Sequence, residues 1–353
     1  MKLAVLGGGH GAVCMAADLT LAGHEVRLHL RNRDRFAELF AGAAVELEGA
    51  GRTGSAAITL VTDDVPEAIA GARVILVPLP AYAHEAMAAA LAPYVRLDQL
   101  VYLTPGTFGA YVFARAIGRH AYTAEAATLP YGTRLTGPAS ASVTTVAEHL
   151  PTGVFPARRT EEAIQLLRQV YPAVEPSRDV LDAALLNVNG ALHASLTIMN
   201  AGPIEALDVY DIHREGSTSA ILRVMAAMER ERIALREALG YGPPHWSIMD
   251  YYDHQEWLYG VRGRQMVEQH SVWREKVPLT GRYIEEDVRF GLSLWSSLGR
   301  SYGVPTPLAD AFIQIAGAMN GRDYVASGLT LEKLDLEHLS VVQLKERLRG
   351  GID

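Results

Sequence analysis

The chain has 353 residues, 49% of them hydrophobic and 20% charged, an ordinary globular composition with ample core and a length that suggests two domains. Its net charge of −8 argues against nucleic acid or an anionic membrane as a partner, and no apolar run approaches the roughly 18 residues that span a bilayer. A single cysteine, Cys14, excludes internal disulfides, and a first strand at residue 2 leaves no room for a signal peptide, so a reducing cytoplasm is expected.

Residues 2–6 (KLAVL) read as a short apolar strand that runs into Gly7-Gly8-Gly9-His10-Gly11-Ala12. An amphipathic stretch to Leu21 follows, then Gly23 as a stop and a second strand over residues 25–30. Strand, glycine turn, helix and strand form the first unit of a dinucleotide-binding fold. In that unit Gly7 permits the tight turn, Gly9 lets the backbone approach a pyrophosphate, and Ala12 allows close helix–strand packing. The helix N-terminus at His10 and Gly11 turns its N–H groups and positive dipole toward the phosphates. Cys14 lies on this helix and reads as packing rather than chemistry. A glycine turn in another α/β protein is the bland alternative; its place directly after one strand and before a helix favours the dinucleotide.

Arg31-Asn32-Arg33-Asp34-Arg35 follows the second strand. An acid there binds a ribose 2′-hydroxyl, whereas a basic residue accommodates a 2′-phosphate. Arg31 and Arg33, with Asn32 between them, therefore predict NADP(H) in preference to NAD(H), which stays possible. The alternative is a solvated loop in which Asn32 caps a short helix.

The rhythm continues with strands over 57–62, 72–77 and 99–103 and helices over 65–70 and 81–91. The strand ends at Pro78-Leu79-Pro80 and Thr104-Pro105-Gly106-Thr107 should line the cofactor crevice, with Pro80 a contact. Further strands are predicted at 131–134 and within 140–156, and a helix over 161–170. Beyond about residue 178 no convincing strand remains. Helices are predicted over 180–200, 219–239, 253–268, 284–302, 307–319 and 340–348, the last opening with a capping box, Ser340 to Gln343. The expected fold class is α/β: a Rossmann-type doubly wound parallel sheet in residues 1–177, then an all-α domain in 178–353. The active site is expected where the two meet.

Residues 180–200 are apolar enough for a buried helix, yet Asn189, His193, Thr197 and Asn200 fall at i, i+4, i+8 and i+11, on one face. Such a stripe either satisfies its own groups or lines a wet cleft. A second cluster is Arg282-Tyr283-Ile284-Glu285-Glu286-Asp287. Its carboxylates could simply favour a helix N-terminus, and Arg282 could be an ordinary surface residue.

Taken together, LGGGHGA at residues 6–12, NVNGALH at 187–193, RYIEEDVRFGL at 282–292, LGRSYGVPTPL at 298–308 and GLTLEKL at 328–334 resemble the octopine/nopaline dehydrogenase family. The bacterial N-(1-carboxyethyl)-norvaline dehydrogenases are similar in length and layout. The resemblance covers nearly the whole chain. It implies reductive condensation of an amine, such as an amino acid's, with a 2-oxo acid such as pyruvate, through an imine reduced by a nicotinamide hydride. It implies His193 and Asp287 as the catalytic pair, with Asp287 orienting the histidine, and Arg282 as the carboxylate clamp. Asn189 and Asn200 are further substrate-binding candidates. No metal is implied. Norvaline-type relatives carry an acid where this chain has Arg31, so their coenzyme preference does not carry over. A homodimer through the helical domain is expected by the same resemblance.

Ketopantoate-, glycerol-phosphate- and hydroxy-acid-type reductases share the plan but use a catalytic lysine. This sequence has none between Lys2 and Lys276, and Lys276 sits in a loop-like REKVP segment. A non-catalytic dinucleotide sensor is the other alternative. The amine is not named by the sequence; Trp246, Tyr251, Tyr252 and Trp257 are candidate walls for it, or core.

Overall fold

A computed structural model describes residues 1–118, 121–270 and 277–352 of the chain. The chain folds into two compact units. The first comprises Met1–Ala184 and Leu258–Gly260, together with the C-terminal residues from Arg347; the second comprises Leu185–Trp257 and Val261–Glu346.

The strands are β1 (Lys2–Leu6), β2 (Glu25–His29), β3 (Val45–Gly49), β4 (Gly54–Ala56), β5 (Leu60–Thr62), β6 (Val74–Val77), β7 (Leu100–Leu103), β8 (Thr123–Ala126), β9 (Tyr131–Gly137), β10 (Ser140–Val146), β11 (Leu150–Phe155) and β12 (Val174–Pro176). Eight of them form one sheet in the order β12-β11-β8-β7-β6-β1-β2-β5. Pairing is parallel from β5 across to β8, then antiparallel between β8 and β11, and parallel again to β12. β1 is the pivot: Leu3–Val5 registers with Val26–Leu28 on one side and Val74–Leu76 on the other. β6 and β7 are buried along their whole length, which is why they read as continuous apolar runs rather than alternating ones.

The other four strands make a second sheet, β4-β3-β10-β9. Sequence reading found β9 and β10 but not their partner β3, whose VELEG alternation buries Val45 and Leu47 on one side. The helix His10–Leu21 packs against both sheets, so every residue from Ala12 to Leu19 is buried. That all-round burial extends to Asp18, held by Arg52 at 2.9 and 3.0 Å and by the Tyr131 hydroxyl at 2.6 Å. Cys14 is buried beside it, and its thiol is pushed up to about 12 by that burial.

The second unit is helical, so the α/β sheet followed by helices stands as predicted. Three helices differ in detail. The helix expected over 180–200 is two, Val180–Leu186 and Asn189–Ile198. Asn187 breaks it: its side-chain oxygen accepts the Asn189 N–H at 3.0 Å, a local turn that competes with the helix. The helix expected over 253–268 is replaced by Ile248–Tyr252 and Gly263–Gln269. Ser247 starts the first by accepting the Met249 N–H, and left-handed residues at His254 and Gly260 turn the chain between them. The stretch expected over 284–302 begins at Arg282 and contains a π-helical segment, Asp287–Leu292, between Arg282–Glu285 and Ser293–Tyr302. In it the Gly291 N–H reaches the Glu286 carbonyl at 3.2 Å, five residues back. The capping box forms, with Ser340 and Gln343 exchanging bonds at 2.9 and 3.3 Å. Among the described residues no helix is long and apolar enough to cross a membrane.

Candidate active site

In the first unit the glycine turn has the shape a dinucleotide phosphate needs. Gly7 sits at φ +139°, and a Cβ there would lie 2.8 Å from Leu79 Cδ2, so only glycine fits. A Cβ on Gly9 would meet nothing within 4 Å, so the backbone is open to approach on that side. The helix that starts at His10 has no side-chain N-cap and no acidic residue in its first turn, leaving its leading N–H groups for an anion. Gly11 packs on Leu129, and Ala12 lies against Gly7. His10 faces the second sheet instead, its Nδ1 accepting the Leu135 N–H at 2.8 Å. Pro80 opens the short turn Ala81–Ala83 at the end of β6. These residues fit a nicotinamide dinucleotide.

After β2 the three singled-out residues part company. Arg31 is exposed and makes no hydrogen bond or ion pair with the described residues. Asn32 accepts the Arg35 N–H at 2.9 Å and shapes the loop. Arg33 grips Asp63 through Nε–Oδ2 at 2.5 Å and Nη2–Oδ1 at 2.6 Å, and the guanidinium holds that carboxyl below its usual range. Asp63, thirty residues on, carried no sequence signal of this role.

In the second unit the helix Asn189–Ile198 carries His193, which is buried, and its Nδ1 lies 2.7 Å from Asp287 Oδ2. Asp287 is buried at the head of the π-helical segment. Loss of water pushes its carboxyl up, and the Arg282 guanidinium opposes that rise. Packing sets the approach of these two elements. A Cβ on Gly190 would come within 3.1 Å of Leu292 and 3.3 Å of Trp295. The His193 ring also lies flat on Tyr283, with centroids 3.7 Å apart and planes within 8°. Tyr283 lies inside one of the family-like motifs, yet sequence reading gave it no role.

Arg282 precedes Tyr283, its side chain 43% exposed and its Nε 3.8 Å from buried Glu286. Glu285, by contrast, is tied to Arg322 at 2.7 Å and to the Tyr324 hydroxyl at 2.6 Å. The rest of the polar stripe diverges. The Asn189 side chain is half-buried and makes no hydrogen bond with the described residues. Thr197 is fully buried, with its hydroxyl unpartnered among the described residues. Asn200 is committed to the fold: its amide donates to the Leu196 and Gly216 carbonyls at 2.8 and 3.2 Å and accepts from Tyr210 at 2.7 Å. The four aromatics pack on their own neighbourhood. Tyr251 lies 5.0 Å from Trp257 and 5.3 Å from Tyr252, and the Trp257 indole donates to the Trp246 carbonyl at 3.2 Å. Lys276 lies outside the described residues.

Residues 176–320 match the family described as NAD/NADP octopine/nopaline dehydrogenase, alpha-helical domain. The opine dehydrogenase of Arthrobacter sp. (strain 1C) is 30% identical over 350 residues, 97% of either chain. Solved structures of octopine dehydrogenase, with NADH and L-arginine or with NADH and pyruvate, share the fold at a TM-score of 0.74 and 18% identity, covering 100% of this chain and 99% of theirs. A ketopantoate reductase from Ralstonia eutropha JMP134 shares it at 0.64 and 18% identity, covering 91% of this chain and 99% of its own.

Proposed function

This chain belongs to the opine dehydrogenase family, NAD(P)-dependent dehydrogenases acting on CH–NH bonds, and we propose that it condenses an amino acid or another amine with a 2-oxo acid such as pyruvate, reducing the imine, with NADPH as preferred coenzyme. The observation that carries this reading is the buried His193–Asp287 contact of 2.7 Å, with Arg282 on the short helix that leads into Asp287.

Each residue then has a chemical task. Arg282 holds the oxo-acid carboxylate, which a planar and permanently charged guanidinium can grip bidentately. Asp287 accepts the Nδ1–H of His193 and fixes one tautomer, so Nε2 is the nitrogen that exchanges protons. His193 takes a proton from the substrate ammonium so that the free amine attacks the oxo carbon. A second nitrogen proton passes to the resulting alkoxide, and His193 returns its proton to that hydroxyl, which leaves as water and gives the iminium ready for reduction. The Asn189 amide offers a further polar contact to substrate, and Asn200 supports the helix end. The glycine turn from Gly7 to Ala12, with the helix N-terminus at His10, Pro80 and the Arg31–Arg33 loop, holds the dinucleotide, which supplies the hydride when bound. Arg31 is the residue offered to a 2′-phosphate. A homodimer in the reducing cytoplasm completes the reading, in keeping with the single buried cysteine.

The test is an NADPH-consumption screen of pyruvate, 2-oxoglutarate and glyoxylate, each with and without a panel of amino acids and simple amines. Turnover that requires both partners and yields a secondary amine is expected. Turnover with an oxo acid alone would assign the chain to hydroxy-acid reduction instead, the chemistry of the ketopantoate-type neighbour.

A further inference from the structure

We infer that Tyr283 is a positioning residue for His193, holding the plane of its ring and sharing the charge of its protonated form. The inference rests on the proposed role of His193. A single hydrogen bond from Nδ1 to Asp287 fixes one atom of the imidazole but leaves the ring able to swing about that contact. The Tyr283 ring removes the swing: it lies parallel within 8° and its centroid is 3.7 Å away, at stacking contact over the whole ring. Both side chains are buried, so this is not an exposed, freely exchanging stack. An aromatic face also attracts a cation, which favours imidazolium over imidazole. Tyr283 shares a single helical turn with Arg282, Arg282–Glu285, so the stack ties the carboxylate clamp to the proton-transfer group.

Asp287, Arg282 and Glu286 come from the segment that carries Tyr283 and its π-helical continuation. His213 meets the Tyr283 ring edge-on at 6.5 Å. The helices Ser219–Ala238 and Pro307–Asn320 also pack on the His193 helix. Their acids are engaged elsewhere: buried Glu229 pairs with Arg232 at 2.8 Å, buried Glu231 accepts the Leu308 and Ala309 N–H groups, and exposed Asp310 accepts from Ser296.

The experiment compares the full-length parent with Tyr283→Phe, Tyr283→Leu and Tyr283→Met, using histidine-ring NMR titration with the His193 signal assigned by its loss in His193→Ala. Steady-state kinetics across pH run alongside. Tyr283→Phe keeps the aromatic face and should track the parent. Tyr283→Leu should lower the His193 titration midpoint by about one pH unit, the size of a desolvated cation–π contact. Its kcat should fall about tenfold to a hundredfold, as for a misplaced proton-transfer group. NADPH affinity should not move. Tyr283→Met serves the same test should the leucine variant lose its cooperative melt. An unchanged midpoint in the leucine or methionine variant, or a phenylalanine variant as impaired as they are, overturns the inference. Retained turnover in His193→Ala would instead overturn the catalytic reading, while the ring titration still judges the stack.

Discussion

Asp63 holds Arg33 through both carboxylate oxygens, at 2.5 and 2.6 Å. Arg31 and Arg33 both follow the second strand, but this pairing leaves them unequal, with Arg31 unengaged by the described residues. Arg31→Asp should therefore weaken NADPH binding by about 1.5–3 kcal/mol, one charge-assisted contact, and move preference toward NADH. Asp63→Ala should release Arg33 and tighten NADPH. Titration of both coenzymes by protein fluorescence measures this; equal affinities in the parent would sink it.

Arg282 is expected to act on the oxo acid. Arg282→Ala should raise the KM for the oxo acid and leave NADPH affinity alone. Arg282→Lys should recover only part of the loss, because a point charge does not reproduce the guanidinium fork. Unchanged kinetics in both variants would make Arg282 a surface residue.

The pH profile follows from the environment of Asp287. Burial pushes its carboxyl above the ordinary range, and the Arg282 guanidinium opposes the shift. The proton-accepting form of the pair is lost on acidification, so kcat/KM should fall as pH drops through the neutral range. Arg282→Ala removes the opposing charge and should carry that limb to higher pH. His193→Ala should cost about 10²–10⁴-fold in rate with NADPH still bound, and Asp287→Asn should move the same way. A limb unmoved in Arg282→Ala would break the electrostatic link.

Away from the site, Glu125 makes a prediction about stability. It is fully buried, accepting the Phe108 and Ala110 N–H groups at 2.8 and 2.7 Å, and burial pushes it up from 4.5 to about 8. The folded state thus keeps a proton that the unfolded chain gives up earlier. Its stabilising share is complete below about 4.5 and disappears as pH rises through about 8, on the order of a few kcal/mol. Melting temperature should decline across that window, and Glu125→Gln should flatten the decline. A parent whose stability is level from pH 5 to 9 would contradict it.

Local pattern made the first unit readable. β1, Gly7 and the helix from His10 adjoin in sequence, and their periodicities change where the structure changes. The second sheet was hidden because β3 pairs with β10 across nearly a hundred residues, and nothing in VELEG names that partner. The π-helical segment was hidden because a hydrophobic stripe does not distinguish a five-residue from a four-residue bond. In the candidate site, the stripe located His193, but only family resemblance joined it to Asp287, ninety-four positions away. Asn200 shared the stripe and turned out to be committed to backbone carbonyls, a commitment that spacing alone does not reveal. Tyr283 was overlooked because stacking partners leave no spacing rule.

Gly190 has no functional group, yet the room it leaves is what brings the helix of His193 against the segment of Asp287. A single methyl there would meet the side-chain ends of Leu292 and Trp295 at 3.1 and 3.3 Å, so both would have to give by a few tenths of an ångström. For anyone evolving this scaffold, the position is a spacer: bulk added there is felt first by Leu292 and Trp295, behind the acid–base pair and without altering either member.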